Sequence, residues 1–210
     1  MADSYELTEK AFHLLLNDGT SWCLTGDQQN IQLVEKLASI MELKECASTS
    51  SPRFIFSSNG NAIGGYRGLT ELSVSETSLS RNSNGWYFYD HNTIRIWHHD
   101  DIADVICEVK INRGREIELI NMWFALHPIY QQSISKGGLP FHGGLVERAG
   151  QGFLLVASGG TGKSTCCQRL PDYWRPLCDD EALVVLSEEM KYQAHPFPTW
   201  SDHLWQESDN

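Results

Sequence analysis

Residues 153–165 read Phe-Leu-Leu-Val-Ala-Ser-Gly-Gly-Thr-Gly-Lys-Ser-Thr. The first four residues are an apolar run typical of a buried strand, and Lys163–Leu170 can form a short helix that ends before Pro171. A strand, a glycine-rich turn and a helix in this order are the context that a phosphate-binding loop requires. The sequence therefore predicts an α/β fold built around residues 157–165 (the 157–165 loop), which we expect to bind a nucleoside triphosphate.

The residue types in the 157–165 loop suit the phosphates of ATP and an accompanying Mg²⁺. Its glycines allow the backbone dihedrals that bring N–H groups close to phosphate oxygens. Lys163 can reach the β- and γ-phosphates, and Ser164 can supply a hydroxyl to the metal. A glycine-rich turn before a helix is the structural alternative, but it gives no reason for these two side chains. We predict that the nucleotide-binding residues are Ser158, Gly159, Gly160, Thr161, Gly162, Lys163, Ser164 and Thr165.

Two adjacent carboxylates, Asp179 and Asp180, follow the loop in the chain. A metal-bound triphosphate needs carboxylates nearby, so this pair is a candidate metal site. The preceding segment, Trp174–Cys178, is a poor strand because Pro176 favours an edge or irregular position. From the local sequence, an acidic turn is as good an interpretation as a metal site.

A histidine is also predicted to lie near the loop. Leu139–Arg148 and Phe153–Val156 have the pattern of two paired strands joined by the turn Ala149–Gly152. Their pairing brings His142 towards the 157–165 loop. A histidine on a strand is more often structural than catalytic, and both interpretations remain open on the sequence alone.

The first 112 residues carry no comparable motif and form a small predicted α/β region. Turn signals at Asn17–Thr20 and at Asp90–Asn92 each separate two strand-forming runs, which predicts two hairpins. Asp27 can cap the helix that follows it. Residues 57–68 are glycine-rich and residues 73–84 serine-rich, so a loop and irregular structure are expected there.

A loose domain boundary is predicted within Asn112–Arg115, which leaves residues 113–210 as the nucleotide-binding core. This part begins with a helix over Glu116–Ser135 that Pro128 should kink or divide. A last hairpin is predicted from Leu183–Leu186 and Tyr192–Phe197. The segment after it has the character of an entry to more structure. We therefore expect a core that is incomplete at its C-terminus or is covered by another subunit.

The overall composition excludes some partners. The chain of 210 residues has 27 acidic and 16 basic residues, and its net charge of −11 opposes binding to nucleic acid or anionic lipid. It has no apolar run long enough to span a membrane and no signal-peptide pattern at its start, which predicts a cytoplasmic protein. Six cysteines without a CxxC pair indicate a reducing compartment and give no support to a zinc site.

The order of these elements resembles the nucleotide-binding core of the HPr kinase/phosphorylase-like proteins, which the phosphoenolpyruvate carboxykinases share. Within that group the resemblance is closest to the ScmC proteins of the SynChlorMet cassette. It covers about residues 120–201, and four segments carry it: Gly138–His142, Gly159–Thr165, Leu177–Glu181 and His195–Ser201.

The resemblance implies a role for each matching residue. Lys163 would hold phosphates and Ser164 the metal, and His142 would line the phosphoryl site. Asp179 and Asp180 would share metal binding and general acid/base work. Thr165 stands where HPr kinases have an acidic residue, so the resemblance does not extend to the carrier protein HPr as acceptor. It points instead to a cassette that modifies a small peptide.

We therefore expect an ATP- and Mg²⁺-dependent phosphotransferase of the HPr-kinase-like class that acts on a peptide or protein hydroxyl. Two other functions remain compatible with the same residues. One is a nucleotide-binding accessory or switch protein without productive transfer. The other is a simple NTPase that drives a conformational change in a partner.

Overall fold

The computed structural model of the chain describes residues 7–47, 52–58, 80–81, 85–91, 94–109 and 119–197. Within these residues the chain is a mixed α/β protein with many strands and few helices. Most of the predicted glycine-rich and serine-rich segments, the predicted boundary at Asn112–Arg115 and the segment from residue 198 onward lie outside the described residues. In this part of the chain, no helix has the length and apolar character needed to cross a membrane.

The chain divides into two compact units. The first comprises residues 1–14, 21–38 and 43–125, and the second comprises residues 15–20, 39–42 and 126–210. The division after residue 125 falls inside the helix α2, Leu119–Ser135. Two short N-terminal segments thus belong to the second unit, which the linear sequence does not suggest.

The first unit contains an eight-stranded sheet and most of the helix α1, Ile31–Ile40. The sheet has the order β3-β1-β2-β4-β8-β7-β6-β5, and β4 pairs in parallel with both β2 and β8. The strands are β1 Leu7–Leu15, β2 Ser21–Asp27, β3 Lys44–Ala47, β4 Arg53–Ser57, β5 Ser80–Arg81, β6 Trp86–His91, β7 Ile94–His99 and β8 Val105–Val109.

Both predicted hairpins of the first half are confirmed. β1 and β2 are neighbours, and the backbone N–H of Leu16 donates to the carbonyl of Thr20 at 2.8 Å in the turn between them. β6 and β7 pair in antiparallel register, with Phe88 opposite Trp97. The aromatic residues of these strands enter a core made of Ile55, Trp86, Phe88, Trp97 and Ile106.

Asp27 has a wider role than the predicted helix cap. Its Oδ1 accepts the backbone N–H groups of Gln29 and Asn30 at 3.1 and 3.0 Å, which fixes the turn before α1. Its Oδ2 accepts the hydroxyl of Ser57 at 3.0 Å and the backbone N–H of Ser58 at 2.7 Å. The buried carboxylate therefore joins the start of α1 to the end of β4.

The second unit contains a five-stranded sheet in the order β10-β9-β12-β13, with β11 also paired to β9. Its elements are β9 Leu139–Arg148, β10 Gln151–Val156, α3 Lys163–Gln168, β11 Arg175–Cys178, β12 Glu181–Leu186 and β13 Tyr192–Pro196. The strand pairs are antiparallel, unlike the parallel sheets of doubly wound nucleotide-binding folds. Leu145, Cys178 and Ala182 lie at the centre of its core.

α2 runs as one helix from Leu119 to Ser135 with Pro128 inside it, so of the two predicted alternatives, a kink or a second helix, the second helix is wrong. Residues on both sides of the proline are buried: Ala125, Leu126, Ile129 and Tyr130. Burial on both sides compensates for the N–H that proline lacks. The helix ends as predicted: Gly137 has a φ of 91°, and the N–H of Gly138 donates to the carbonyl of Ser133 at 2.9 Å.

Candidate functional site

The glycines of the 157–165 loop set its backbone path between β10 and α3. Gly160 and Gly162 have φ angles of 75° and 92°, which residues with a side chain rarely adopt. A Cβ added at either position, or at Gly159, would meet no atom within 4 Å. The loop backbone is therefore accessible to a ligand, as the motif predicts.

The lysine of the loop folds back over the loop itself. Lys163 Nζ lies 3.0 Å from the carbonyl oxygen of Ala157 and 3.5 Å from that of Ser158. The hydroxyl of Thr161 donates to the same Ser158 carbonyl at 2.7 Å. These contacts hold a positive charge against the loop, where an anion bound by the loop would meet it.

α3 is short and begins at Lys163. The N–H of Cys166 donates to the carbonyl of Gly162 at 2.8 Å, and Gly162 offers no side chain to cap the helix. Ser164 and Thr165 are exposed in the first turn. Ser164 makes no side-chain hydrogen bond within the described part of the chain, so its hydroxyl is available to a metal or a phosphate.

The strand register brings His142 and Asp180 to the end of the hairpin that carries the loop. The predicted hairpin of β9 and β10 is confirmed, and Gly143 of β9 lies opposite Val156, the last residue of β10. The N–H of Gly143 donates to the carbonyl of Asp180 at 2.7 Å. His142 Nδ1 lies 3.5 Å from Asp180 Oδ1, and the two side chains are 63% and 19% exposed.

Burial raises the pKa of Asp180 above that of an ordinary aspartate. Interactions with His142 and with the Lys163 ammonium group lower this pKa, and the charge of Asp179 adds to the increase. The charge of the loop lysine, Lys163, therefore acts on the carboxyl group of Asp180.

Asp179 is buried beside the thiols that attach α3 to the sheet. Burial raises the pKa of Cys167 to about 11 and that of Cys178 to about 12, and the charge of Asp179 contributes to both increases. Cys167 Sγ also lies 3.8 Å from the carbonyl oxygen of Cys178. The protonated, buried thiols of Cys167 and Cys178 pack between α3 and the sheet.

The available metal ligands suit a partly protein-bound cation. No group of three or more His, Cys, Asp or Glu side chains that could hold a metal ion occurs among the residues that the structure describes. Ser164, Asp179 and Asp180 offer one hydroxyl and two carboxylates. These are the ligand types that Mg²⁺ takes together with phosphates and water.

Two adjacent glycines of β9, Gly143 and Gly144, allow β10 and α3 to pack closely against this strand, and the sequence motifs did not indicate this role. A Cβ at Gly143 would lie 2.9 Å from the carbonyl oxygen of Leu155. A Cβ at Gly144 would collide with Cys167 Sγ. Both positions therefore require glycine for a close approach, one to β10 and the other to α3. Adjacent glycines inside a strand were the available signal.

The fold and the site define a mixed α/β protein in which a strand, a glycine-rich loop and a short helix lie beside a histidine–aspartate pair. The family model of the SynChlorMet cassette protein ScmC matches residues 105–210. The match covers half of the chain and includes the whole site, and the chain belongs to the ScmC family. Comparisons with curated proteins and with solved structures gave no match.

Proposed function

We propose that this chain is an ATP-binding, Mg²⁺-dependent phosphotransferase of the HPr-kinase-like class that acts on a hydroxyl of a peptide or protein. One observation carries the proposal. His142 and Asp180 are in contact at the end of the β9–β10 hairpin from which the 157–165 loop departs, and the charge of Lys163 in that loop acts on Asp180. A lysine in a glycine-rich loop with a carboxylate beside it is the combination that phosphoryl transfer uses.

In this proposal the loop backbone and Lys163 hold the phosphates of ATP. Ser164 and Asp179 would hold Mg²⁺, which would offset the negative charge of the phosphates when bound. Asp180 is more exposed than Asp179 and lies beside His142, so it is better placed to accept the proton of the acceptor hydroxyl. Its raised pKa increases its proton affinity and suits that role.

Incubation with γ-labelled ATP and candidate peptides tests the proposal. The expected result is label on a peptide, with the transfer lost in Lys163→Ala. Lys191→Ala is the matched control, because Lys191 is an exposed lysine of the same unit whose side chain, among the residues that the structure describes, pairs only with the exposed Glu189. Asp179→Asn and Asp180→Asn should retain ATP binding and lose transfer. Normal turnover in both aspartate variants would show that Asp179 and Asp180 form only an acidic turn, without a role in transfer.

A nucleotide-binding switch without transfer is the second candidate, and the electrostatics of the site favour it in one respect. Burial of Asp180 favours its protonated form, which is a weaker metal ligand than a carboxylate. A switch protein would bind ATP in calorimetry and label neither peptide nor phosphate. Label in free phosphate alone would identify a simple NTPase.

A further inference from the structure

An arginine and three aromatic residues form a surface cluster on the second unit. The guanidinium carbon of Arg148 lies 4.8 Å from the ring centroid of Tyr173 and 5.3 Å from that of Trp174. Phe153 meets Trp174 edge-on at 5.1 Å. Tyr173 is 64% exposed and Phe153 is 41% exposed, so much of the apolar surface of this arginine–aromatic cluster faces water.

The strand register explains why the cluster faces one way. Arg148 lies opposite Gln151, and Val146 lies opposite Phe153. Alternation along paired strands places Arg148 and Phe153 on the same face of the hairpin. Glu147 lies on the other face, where its carboxylate accepts the N–H of Gly150 at 2.6 Å. Glu147 therefore makes its hydrogen bond on the face opposite to the cluster.

The charge of Arg148 has no acidic partner within the part of the chain that the structure describes. The guanidinium lies over the rings of Tyr173 and Trp174, and stacking of this kind restricts its orientation without using its N–H donors. A fixed guanidinium binds a carboxylate through two parallel hydrogen bonds. The net charge of −11 repels acidic groups at long range, but salt screens that repulsion beyond about 8 Å. An acidic group close to the cluster is therefore attracted by the charge of Arg148.

One edge of β10 leads from this cluster to the 157–165 loop. Among the described strands β10 pairs with β9 alone, which leaves N–H and C=O groups along its other edge. The edge begins at Gln151, opposite Arg148, and ends at Val156, where the loop starts. Five residue steps of about 3.4 Å make this distance roughly 17 Å.

We propose that an extended acidic peptide adds to the free edge of β10, with a carboxylate bound to Arg148 and apolar side chains on Phe153 and Tyr173. Backbone pairing supplies affinity in this mode, and side-chain contacts select the peptide. The peptide then runs towards Val156. A hydroxyl about five residues from the bound carboxylate reaches the loop; this last step, and it alone, rests on the phosphotransferase proposal.

Peptide binding without nucleotide tests the docking surface by itself. The probe is a fluorescein-labelled peptide of alternating glutamate and valine that ends in threonine, and the comparison peptide carries glutamine in place of glutamate. Fluorescence anisotropy should show tighter binding of the glutamate peptide to the wild type. Arg148→Gln should weaken that binding about tenfold and remove the preference. Lys191→Gln is the matched charge control and should bind as the wild type does.

Equal binding of the two peptides to the wild type, or equal losses in Arg148→Gln and Lys191→Gln, would overturn the proposal. Circular dichroism of each variant separates a folding defect from a lost contact. A glutamate peptide with N-methylated backbone should bind at least tenfold more weakly, because it cannot pair with a strand edge. Undiminished binding of that peptide would exclude edge pairing. Because ATP is absent, none of these outcomes depends on phosphoryl transfer.

Discussion

Replacing Gly144 by alanine should destabilise the second unit by pushing α3 away from β9. The added Cβ would collide with Cys167 Sγ, and Cys167 is buried and in contact with the Cys178 carbonyl, so it has little room to move. Overpacking of this kind costs about 1–3 kcal/mol. Alanine recovers roughly 0.5–1 kcal/mol relative to glycine within a strand. The expected net loss in the free energy of unfolding is roughly 0–2.5 kcal/mol, with a middle value of about 1 kcal/mol.

Urea unfolding of the full chain measures this loss, and Gly152→Ala is its matched control. Gly152 lies on the neighbouring strand, where a Cβ would make an ordinary contact of 3.6 Å with Leu145 Cδ1. The control should therefore be as stable as the wild type or up to about 1 kcal/mol more stable. Since α3 starts at Lys163, Gly144→Ala should also weaken ATP binding in calorimetry, whereas the control should not.

The collision itself is tested by removing the sulfur. Cys167→Ala deletes the atom that the new Cβ would strike, so the cost of Gly144→Ala in that background should fall by about 1 kcal/mol or more. Atoms in direct contact give non-additive effects, whereas separate effects add within about 0.5 kcal/mol. Additive losses in the double variant would refute the packing argument.

Three further outcomes are expected. Lys163→Ala should abolish tight ATP binding in calorimetry with an unchanged circular dichroism spectrum, because Lys163 contacts only loop carbonyls within the described residues. Asp180→Asn should stabilise the protein against urea at pH 7 but not below pH 3.8: the raised folded-state pKa means that stability falls as pH rises from 3.8 through that pKa. Iodoacetamide at pH 8 should modify the exposed Cys166 and spare Cys178, whose pKa is raised to about 12; mass spectrometry of the native protein checks this.

The parts of the fold that the sequence predicted are those that short-range patterns determine. The hairpins around Asn17–Thr20 and Asp90–Asn92 follow from turn residues between strand formers. The order of the eight-stranded sheet does not follow from such patterns. There β4 pairs in parallel with β2 and with β8, which lies about 50 residues further along the chain. Nothing local to Phe54 or Ile106 encodes that pairing.

The candidate site divides in the same way. The 157–165 loop could be predicted because the residues of its motif are consecutive in the sequence. The contact between His142 and Asp180 depends on the pairing of β9 with β12, and the stacking of Arg148 on Trp174 depends on the position of the segment before β11 beside β9. These contacts depend on the pairing of strands that are far apart in the chain. The sequence therefore identified candidate residues but did not predict which of them are in contact.

β9 is the element on which all parts of this site depend. It pairs with β10 before the loop, with β11 before Asp179, and with β12 after Asp180. A shift of one residue in any of these pairings would turn every side chain of a strand to the opposite face. His142 would then point away from Asp180 and Arg148 away from Trp174. Glycine at 143 and 144 keeps the register by allowing contacts that any side chain would block, so the two positions outside the motif control the geometry within it.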